Sequence, residues 1–367
     1  MTDFMDRLGR LKKKLRNRGL DALLVTQPQN RRYLSGFRAG DMNISESSGA
    51  LLIPRRGRPL LMTDFRYQLE AEAEAPGFEV LVYKRGLLDL LGKILAGTGI
   101  KRLAFESHYF LHQTAAKLEN LVKKLDIEPV PATGLVERLR LCKSPVEIEK
   151  IRAAVLLNEQ VFQEVFRTLR AGISERQVAI RIETLMREKG ADAPAFETIV
   201  AGGPNGAKPH AVPSERPLRK GEPIVMDMGL VLDGYCSDMT RTVVLGEMDQ
   251  TTKDIFRLVR GAQLAGIKTI RPGVTGAEVD RAARRIIAGA GYGKRFGHGL
   301  GHGVGLAVHE GPGLSRRYKR KLKAGMVVTV EPGIYLPGWG GVRLENMVAV
   351  TERGCEVLNT DTTFLDL

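Results

Sequence analysis

Cysteine is scarce in this chain: Cys142, Cys236 and Cys355 are the only three among 367 residues. An odd number at such wide spacing supports neither a disulfide framework nor a thiolate zinc site. Long apolar runs are also missing, and no stretch reaches the roughly 18 residues that a membrane-crossing helix needs. The first residues, MTDFMDRLGRLKKKLRNRGL, lack an apolar segment of signal-peptide length. Asp3 and Asp6 among the basic side chains argue against an organellar transit peptide. The expectation is a cytoplasmic protein with no membrane partner. No low-complexity segment or short repeat is visible.

Acidic residues are outnumbered, with 42 Asp+Glu against 56 Lys+Arg and a net charge of +14. The surplus is diffuse, since residues 1–134 hold 22 basic and 15 acidic side chains, half of the excess. The densest basic runs are RLKKKLRNR (10–18) and RRYKRK (316–321). No nucleic-acid reading motif accompanies them, so they read as solvated basic surface. The length suggests about two domains.

Met5, Leu8, Leu11 and Leu15 predict an amphipathic helix over 5–18. Strand-like runs at 22–26, 49–54, 59–63, 78–83, 102–106 and 127–130 alternate with helical patterns at 67–75, 86–96 and 111–124. That alternation predicts an α/β domain of about 130 residues. A long helix then spans 145–171, with Ser144 as its N-cap and Pro145 at its first position. Further helices are expected from Ser174 to Lys189-Gly190, at 252–270 and at 276–289. Strands are expected at 196–201, 222–232, 240–245, 326–330 and 342–350.

The acidic residues of this second part have a suggestive placement. In PIVMDMGLVLDGYCSDMTRTVVL (223–245), Asp227 ends an apolar strand and Asp238 starts the next, across a turn carrying Asp233-Gly234. An antiparallel pair of this kind can bring two strand-end carboxylates together. Glu331 closes the apolar strand VVTV, and Glu345 falls inside GGVRLENMVAV (340–350). A carboxylate in a buried strand is costly unless it is paired or binds a cation. Four carboxylates and an imidazole suit two divalent ions of the manganese, cobalt, iron or zinc type. Pairing with Arg241 and Arg343 is the alternative. GHGLGHGVGLAVHEGP (297–312) adds three histidines to a Gly-rich loop whose backbone can approach a ligand closely. It is not a phosphate cradle, since it lacks the GxGxxG placement and a Walker lysine.

These motifs resemble those of the proline peptidases of the pita-bread metallopeptidase family, Xaa-Pro aminopeptidase and Xaa-Pro dipeptidase (prolidase). The likeness spans nearly the whole chain, with NRRYLSGF (30–37) similar to the N-terminal signature and about 145–355 similar to the catalytic domain. It implies a creatinase-like α/β N-terminal domain over 1–134 and an α+β pita-bread catalytic domain over 135–367. It implies that Asp227 binds one metal, that Asp238 and Glu345 bridge two, and that His302 and Glu331 complete the second. A water between the metals would be the nucleophile, with Glu331 as its general base and proton shuttle. By the same resemblance His309 contacts the substrate carbonyl and His210 steadies the tetrahedral intermediate or leaving group. His298, Tyr335 and Arg343 surround the proline ring. Leu300 departs from the family, which usually has Thr or a small polar residue there. The implied cofactors are two divalent ions, manganese first, with cobalt, zinc or iron as alternatives. The implied partners are proline-containing peptides and a second copy of the chain, with no nucleic acid.

Structural alternatives remain for the subsidiary residues: a loop cap for His210, framework roles for His298 and Tyr335, and a salt bridge for Arg343. Methionine aminopeptidase is disfavoured by the large N-terminal domain, and a creatinase-like hydrolase by the retention of all five ligands. A non-catalytic peptide- or nucleic-acid-binding member of the fold is a further reading. Between the two proline peptidases, a strict dipeptidase needs a fixed cation beyond proline for the free carboxylate. RRYKRK could supply one but reads as mobile and solvated, and CSDMTRT (236–242) looks closer to aminopeptidase P. Xaa-Pro aminopeptidase is therefore placed first and Xaa-Pro dipeptidase second.

Overall fold

A computed structural model describes residues 2–362 and residue 365, in two compact units that divide between Arg140 and Leu141. The first unit contains helices α1 (Thr2–Asn17), α2 (Pro28–Ser35), α3 (Gln68–Glu74), α4 (Leu87–Ala96), α5 (His112–Lys123) and α6 (Glu137–Arg140). Its strands are β1 (Ala22–Val25), β2 (Ala50–Pro54), β3 (Leu60–Thr63), β4 (Glu79–Val82), β5 (Arg102–Glu106) and β6 (Glu128–Ala132). They form one mixed sheet in the order β4-β3-β2-β1-β5-β6. Leu24, Leu52, Met62 and Phe105 of the sheet pack with Leu91, Leu95, Leu118 and Val122 of α4 and α5. This is the expected α/β unit.

Two features differ from the sequence reading. NRRYLSGF carries a helix, α2, with proline at its first position and Gly36 at φ 89° as its left-handed stop. Arg31 on that helix is fully buried; its guanidinium donates to the carbonyls of Thr26, Ala39 and Gly49 and pairs with Asp41 at 2.8 Å. The unit also runs past the expected limit at 134. Helix α6 belongs to it because Tyr33 OH donates to Leu139 O and Arg140 donates to Asn30 Oδ1.

The second unit contains helices α7 (Pro145–Thr168), α8 (Glu175–Glu188), α9 (Gln250–Thr269) and α10 (Gly276–Gly289). Its strands are β7 (Ala193–Pro194), β8 (Ile199–Gly202), β9 (Pro223–Met228), β10 (Leu230–Leu232), β11 (Tyr235–Cys236), β12 (Met239–Val244), β13 (Gly301–Gly303), β14 (Glu310–Leu314), β15 (Val327–Val330), β16 (Gly333–Leu336), β17 (Gly340–Arg343), β18 (Asn346–Val350) and β19 (Cys355–Val357). Sheets run β12-β9-β8, β11-β10-β7, β14-β13-β15-β18-β19 and β16-β17. The Gly-rich segment read as a loop therefore contributes β13 and β14. A Cβ at Gly301 would collide with Thr329 O, and one at Gly303 with Gly311 O. These glycines admit neighbouring strands, where the sequence suggested a ligand. Among the described residues, no helix is long and apolar enough to cross a membrane.

The unit is internally duplicated, which its sequence does not announce. Helices α7 and α8 pack through Val161, Phe162, Val178 and Ile182 onto Ile224 and Met226 of β9. Helices α9 and α10 pack through Phe256, Val259, Val279 and Ala283 onto Val328 and Val330 of β15. The second helix of each pair starts alike. Gly172 at φ 94° precedes Ser174, and Gly273 at φ 90° precedes Thr275. Each hydroxyl residue heads a capping box, closed by Gln177 and Glu278 respectively. The preceding backbone pairs with Leu218 in one half and with Leu322 in the other. Left-handed Gly221 and Gly325 then lead into β9 and β15. Asp227 is the penultimate residue of β9 and Glu331 directly follows β15. Asp238 and Glu345 directly precede β12 and β18, the antiparallel partners of those strands. Each half thus supplies one carboxylate at a strand end and one at the entry to its neighbour.

The capping boxes are expected to stabilise each half separately. Ser174→Ala and Thr275→Ala should each cost about 1 kcal/mol, or a melting temperature lower by about 2–4 °C for a unit of this size. Thermal unfolding measures both, and an unchanged midpoint in either variant would contradict the capping assignment.

Candidate metal centre and active site

One cavity of about 410 Å³ collects the residues singled out from the sequence. Asp227, Asp238, His302, Glu331 and Glu345 line it, with His210, His298, His309, Tyr335 and Arg343. Between β9 and β12 the chain makes the β10–β11 hairpin, whose turn residues Asp233 and Gly234 have φ 47° and 77°. The two antiparallel strands pair Asp227 with Thr240 and Met228 with Met239, so Asp227 and Asp238 sit at the same edge. Glu345 is not inside a strand, as the sequence suggested, but in the break between β17 and β18. Its N–H donates to Thr240 O, and Arg241 donates to its carbonyl. These bonds to another strand interrupt the ladder and turn the side chain inward.

Three of the four acids are held by a protein donor on one side. Arg343 Nη2 donates to Asp227 Oδ2 at 2.6 Å, Thr240 Oγ1 to Glu345 Oε2 at 2.7 Å and Thr329 Oγ1 to Glu331 Oε1 at 3.1 Å. The opposite oxygens, Asp227 Oδ1 and Glu345 Oε1, are buried without a hydrogen-bond partner. Asp238, His302 and Glu345 each bring a ligand atom within 4.8 Å of the others. His302 Nε2 lies 3.5 Å from Asp238 Oδ2 and 3.4 Å from Glu331 Oε1. His302 Nδ1 faces Gly303 O at 3.1 Å, which fixes the tautomer with Nε2 free as a ligand atom. Bare carboxylate oxygens around a free imidazole nitrogen are a donor set that fits divalent cations.

The electrostatics agree with that fit. Burial raises the pKa of Asp238 well above the carboxylate range, reinforced by Glu345, Asp227 and Glu331. Burial, then Glu331 and Asp227, does the same to Glu345. Glu331 is pushed up to about 8, by burial first and then Asp227, against Arg343 and Thr329. Burial, with His309 beside it, lowers His302 to about 4. Without cations the cluster holds protons; with cations it releases them.

The side of the cavity that carries Tyr335 and His298 is also organised. Arg343 Nη1 donates to Tyr335 OH at 2.9 Å, and Tyr335 OH meets His298 Nε2 at 2.9 Å. His298 Nδ1 faces Gly299 O at 2.8 Å, so the ring's orientation is fixed. Arg343 also donates to Thr240 and to Pro209 O, and is buried. Its salt bridge to Asp227 is therefore real. His309 packs against His302 with ring centroids 4.2 Å apart and the planes tilted by 55°, and both it and His210 are solvent-exposed. The side chain of Leu300 packs in the core, while its backbone carbonyl receives Glu331 N–H at 2.8 Å.

Sequence reasoning missed the apolar wall of Phe196, Ile199, Ala211 and Val212, and Glu197 at its rim. Nothing in the local pattern separates those residues from ordinary strand and loop packing. It also missed Thr240 and Thr329 as carboxylate anchors. Their signal was a hydroxyl on a strand two residues from the candidate ligand that adjoins that strand.

Residues 149–352 match metallopeptidase family M24, and residues 7–142 match the creatinase/prolidase N-terminal domain. The chain belongs to this metallopeptidase family, and its second unit has the pita-bread fold. Its structure is similar to that of an Xaa-Pro dipeptidase from Bacillus anthracis, at 38% identity and a TM-score of 0.92, covering 99% of each chain. An X-Pro aminopeptidase from Thermotoga maritima is 38% identical with a TM-score of 0.85, covering 94% of this chain and 96% of that one. A prolidase from Pyrococcus horikoshii is 34% identical with a TM-score of 0.89, covering 98% and 99%.

The raised carboxylate pKa values set a pH dependence. In the metal-free protein Glu331 keeps a proton up to about pH 8 that an unfolded Glu releases near its ordinary 4.5. The native state then binds more protons, so its stability falls as pH rises between about 5 and 8. Melting temperatures in chelator should fall across that range, and added Mn²⁺ should raise them most at the alkaline end. A chelated protein that grows more stable from pH 5 to 8 would contradict the buried-acid account.

Proposed function

We propose that the chain hydrolyses the bond preceding proline in Xaa-Pro substrates, with the Xaa-Pro dipeptide as the first reading. The observation that carries the chemistry is the pair of bare, buried oxygens on Asp227 and Glu345, facing Asp238, His302 and Glu331. The order of substrates rests on the relatives. The dipeptidase of B. anthracis and the prolidase of P. horikoshii match at higher TM-scores than the T. maritima aminopeptidase. This reverses the order expected from sequence. One observation favours the Xaa-Pro aminopeptidase as a second reading. Among the described residues, Arg343 is the only Lys or Arg lining the cavity, and it is already engaged by Asp227, Thr240, Tyr335 and Pro209.

In this reading Asp227, Asp238, His302, Glu331 and Glu345 hold two divalent ions, manganese first. When bound, the ions polarise the scissile carbonyl and make water a better nucleophile at neutral pH. The carboxylate of Glu331 takes the proton of the attacking water and delivers it to the departing nitrogen. His309 and His210 donate to the oxygen on which negative charge develops. His298 and Tyr335, locked by Arg343, form the wall for the pyrrolidine ring. Such a site suits a bond that lacks an N–H and is a crowded tertiary amide. A homodimer and a cytoplasmic location belong to the same proposal.

Two measurements test it. The kcat/KM ratio for Ala-Pro over Ala-Pro-Ala should be about tenfold or more, or 1.4 kcal/mol in transition-state binding; a ratio below one would restore the aminopeptidase to first place. His309→Ala should lower kcat by about 10²–10³ with metal content unchanged, and a metal-free variant would show that His309 is a ligand.

A further inference from the structure

Two adjoining clefts beside the catalytic cavity are lined by cations that the proposed reaction does not use. One, of about 430 Å³, carries Arg281, Arg284, Arg285 and Arg316. The other, of about 650 Å³, carries Lys294, Arg316 and Arg317 along with Arg284. The clefts share Arg284, Gly293 and Arg316, and the larger shares His298 and Gly299 with the catalytic cavity. Asp280 is the one carboxylate in their walls among the described residues. It is fully buried, bonded to Arg284 at 2.7 and 2.9 Å and to Leu300 N–H at 3.1 Å. No ion pair among the described residues engages Arg281, Arg285, Lys294, Arg316 or Arg317.

The basic run RRYKRK is fixed, contrary to its reading as a mobile segment. Tyr318 N–H donates to Ser315 O at 3.0 Å, and Tyr318 O accepts from Ala277 N–H at 2.9 Å. Leu322 N–H donates to Val274 O at 2.7 Å, and Thr275 forms a bridge with Lys321. The Tyr318 ring lies against Gly276, where a Cβ would crowd it, and beside Gly313. Arg316 and Arg317 thus project from a backbone tied to the start of α10.

Charge complementarity selects the occupant. A peptide cut after its first residue carries its ammonium on one side of the scissile bond and its terminal carboxylate on the other. A row of unpaired guanidinium groups repels the first and attracts the second. Among the described residues, the only phenyl or indole ring in these walls, Phe296, is buried with Arg284 over its face at 4.0 Å, so no stacking platform for a nucleobase is offered. We propose that these clefts bind the part of the substrate that follows proline and select peptides carrying carboxylates there. The inference rests on cleavage before proline and not on the order of the dipeptide and longer substrates.

The test compares Ala-Pro-Glu-Glu, Ala-Pro-Ala-Ala and Ala-Pro-Lys-Lys on the Mn²⁺-loaded protein, with Ala-Pro as reference. At about 0.05 M salt, kcat/KM should favour the Glu peptide over the Ala peptide by about tenfold and place the Lys peptide last; the differences should shrink at about 0.5 M. The double variants R316E/R317E and R281E/R285E should each invert the ranking of the three tetrapeptides while leaving Ala-Pro, which has no residue after proline, within about threefold. As a readout independent of turnover, calorimetry should show the product Pro-Glu-Glu binding more tightly than Pro-Ala-Ala, and R316E/R317E should remove the difference. If no Xaa-Pro substrate is cut, the proposed function falls and this inference with it. If Ala-Pro is cut and all tetrapeptides are cut equally or not at all, only the inference falls. A single-stranded oligonucleotide bound through Arg316 and Arg317, without any preference for acidic peptides, would overturn it in favour of a nucleic-acid surface.

Discussion

Four carboxylates confined to one cavity repel one another, and the surrounding structure is organised to bear that repulsion. Asp227 is balanced by Arg343, itself buried among Tyr335, Thr240 and Pro209 O. Glu345 is held through both its backbone and its side chain by Arg241 and Thr240. Arg241 is fully buried, and burial lowers its pKa to about 10 despite Glu159 nearby. Glu159 in turn accepts from Asn359, Thr360 and Asp361, tying the end of the chain to the same network. A single arginine beside Asp227 does not neutralise four acids. Two divalent cations would more than offset the charge that remains, and a buried acid cluster without them is costly.

The duplicated framework explains how such a cluster arises. Each half places a capped helix pair over a sheet, and each sheet ends in one carboxylate and begins its next strand with another. Bringing the two edges together makes the four-acid set from two copies of a simple device. The added histidine comes from β13, which flanks β15 as β8 flanks β9 in the first half and stays close to β15 because glycines at 301 and 303 admit the neighbouring backbones. The same glycines were the strongest sequence signal of a site, although their physical role is strand contact.

Much of this was legible because buried acids in apolar strands are rare. Asp227, Glu331 and Glu345 interrupt valine-rich segments, and three histidines crowd twelve residues. What stayed hidden has physical reasons. Helix α2 buries polar residues, Asn30 and Arg31, so it shows no apolar face. The duplication is spelled by Ile and Val, Ser and Thr, Gln and Glu, which serve one geometry without matching as letters. The break between β17 and β18 depends on a partner strand rather than on local propensity. The cavity wall of Phe196, Ile199 and Val212 is ordinary apolar surface until the fold places it opposite the acids.

The central claim is that these five side chains form one two-cation centre, and metal stoichiometry tests it most directly. Metal analysis of protein saturated with Mn²⁺ and freed of excess should find two ions per chain, with Glu345→Gln reducing the count. A wild-type chain that retains none, or that hydrolyses Xaa-Pro peptides fully after exhaustive chelation, would contradict the account.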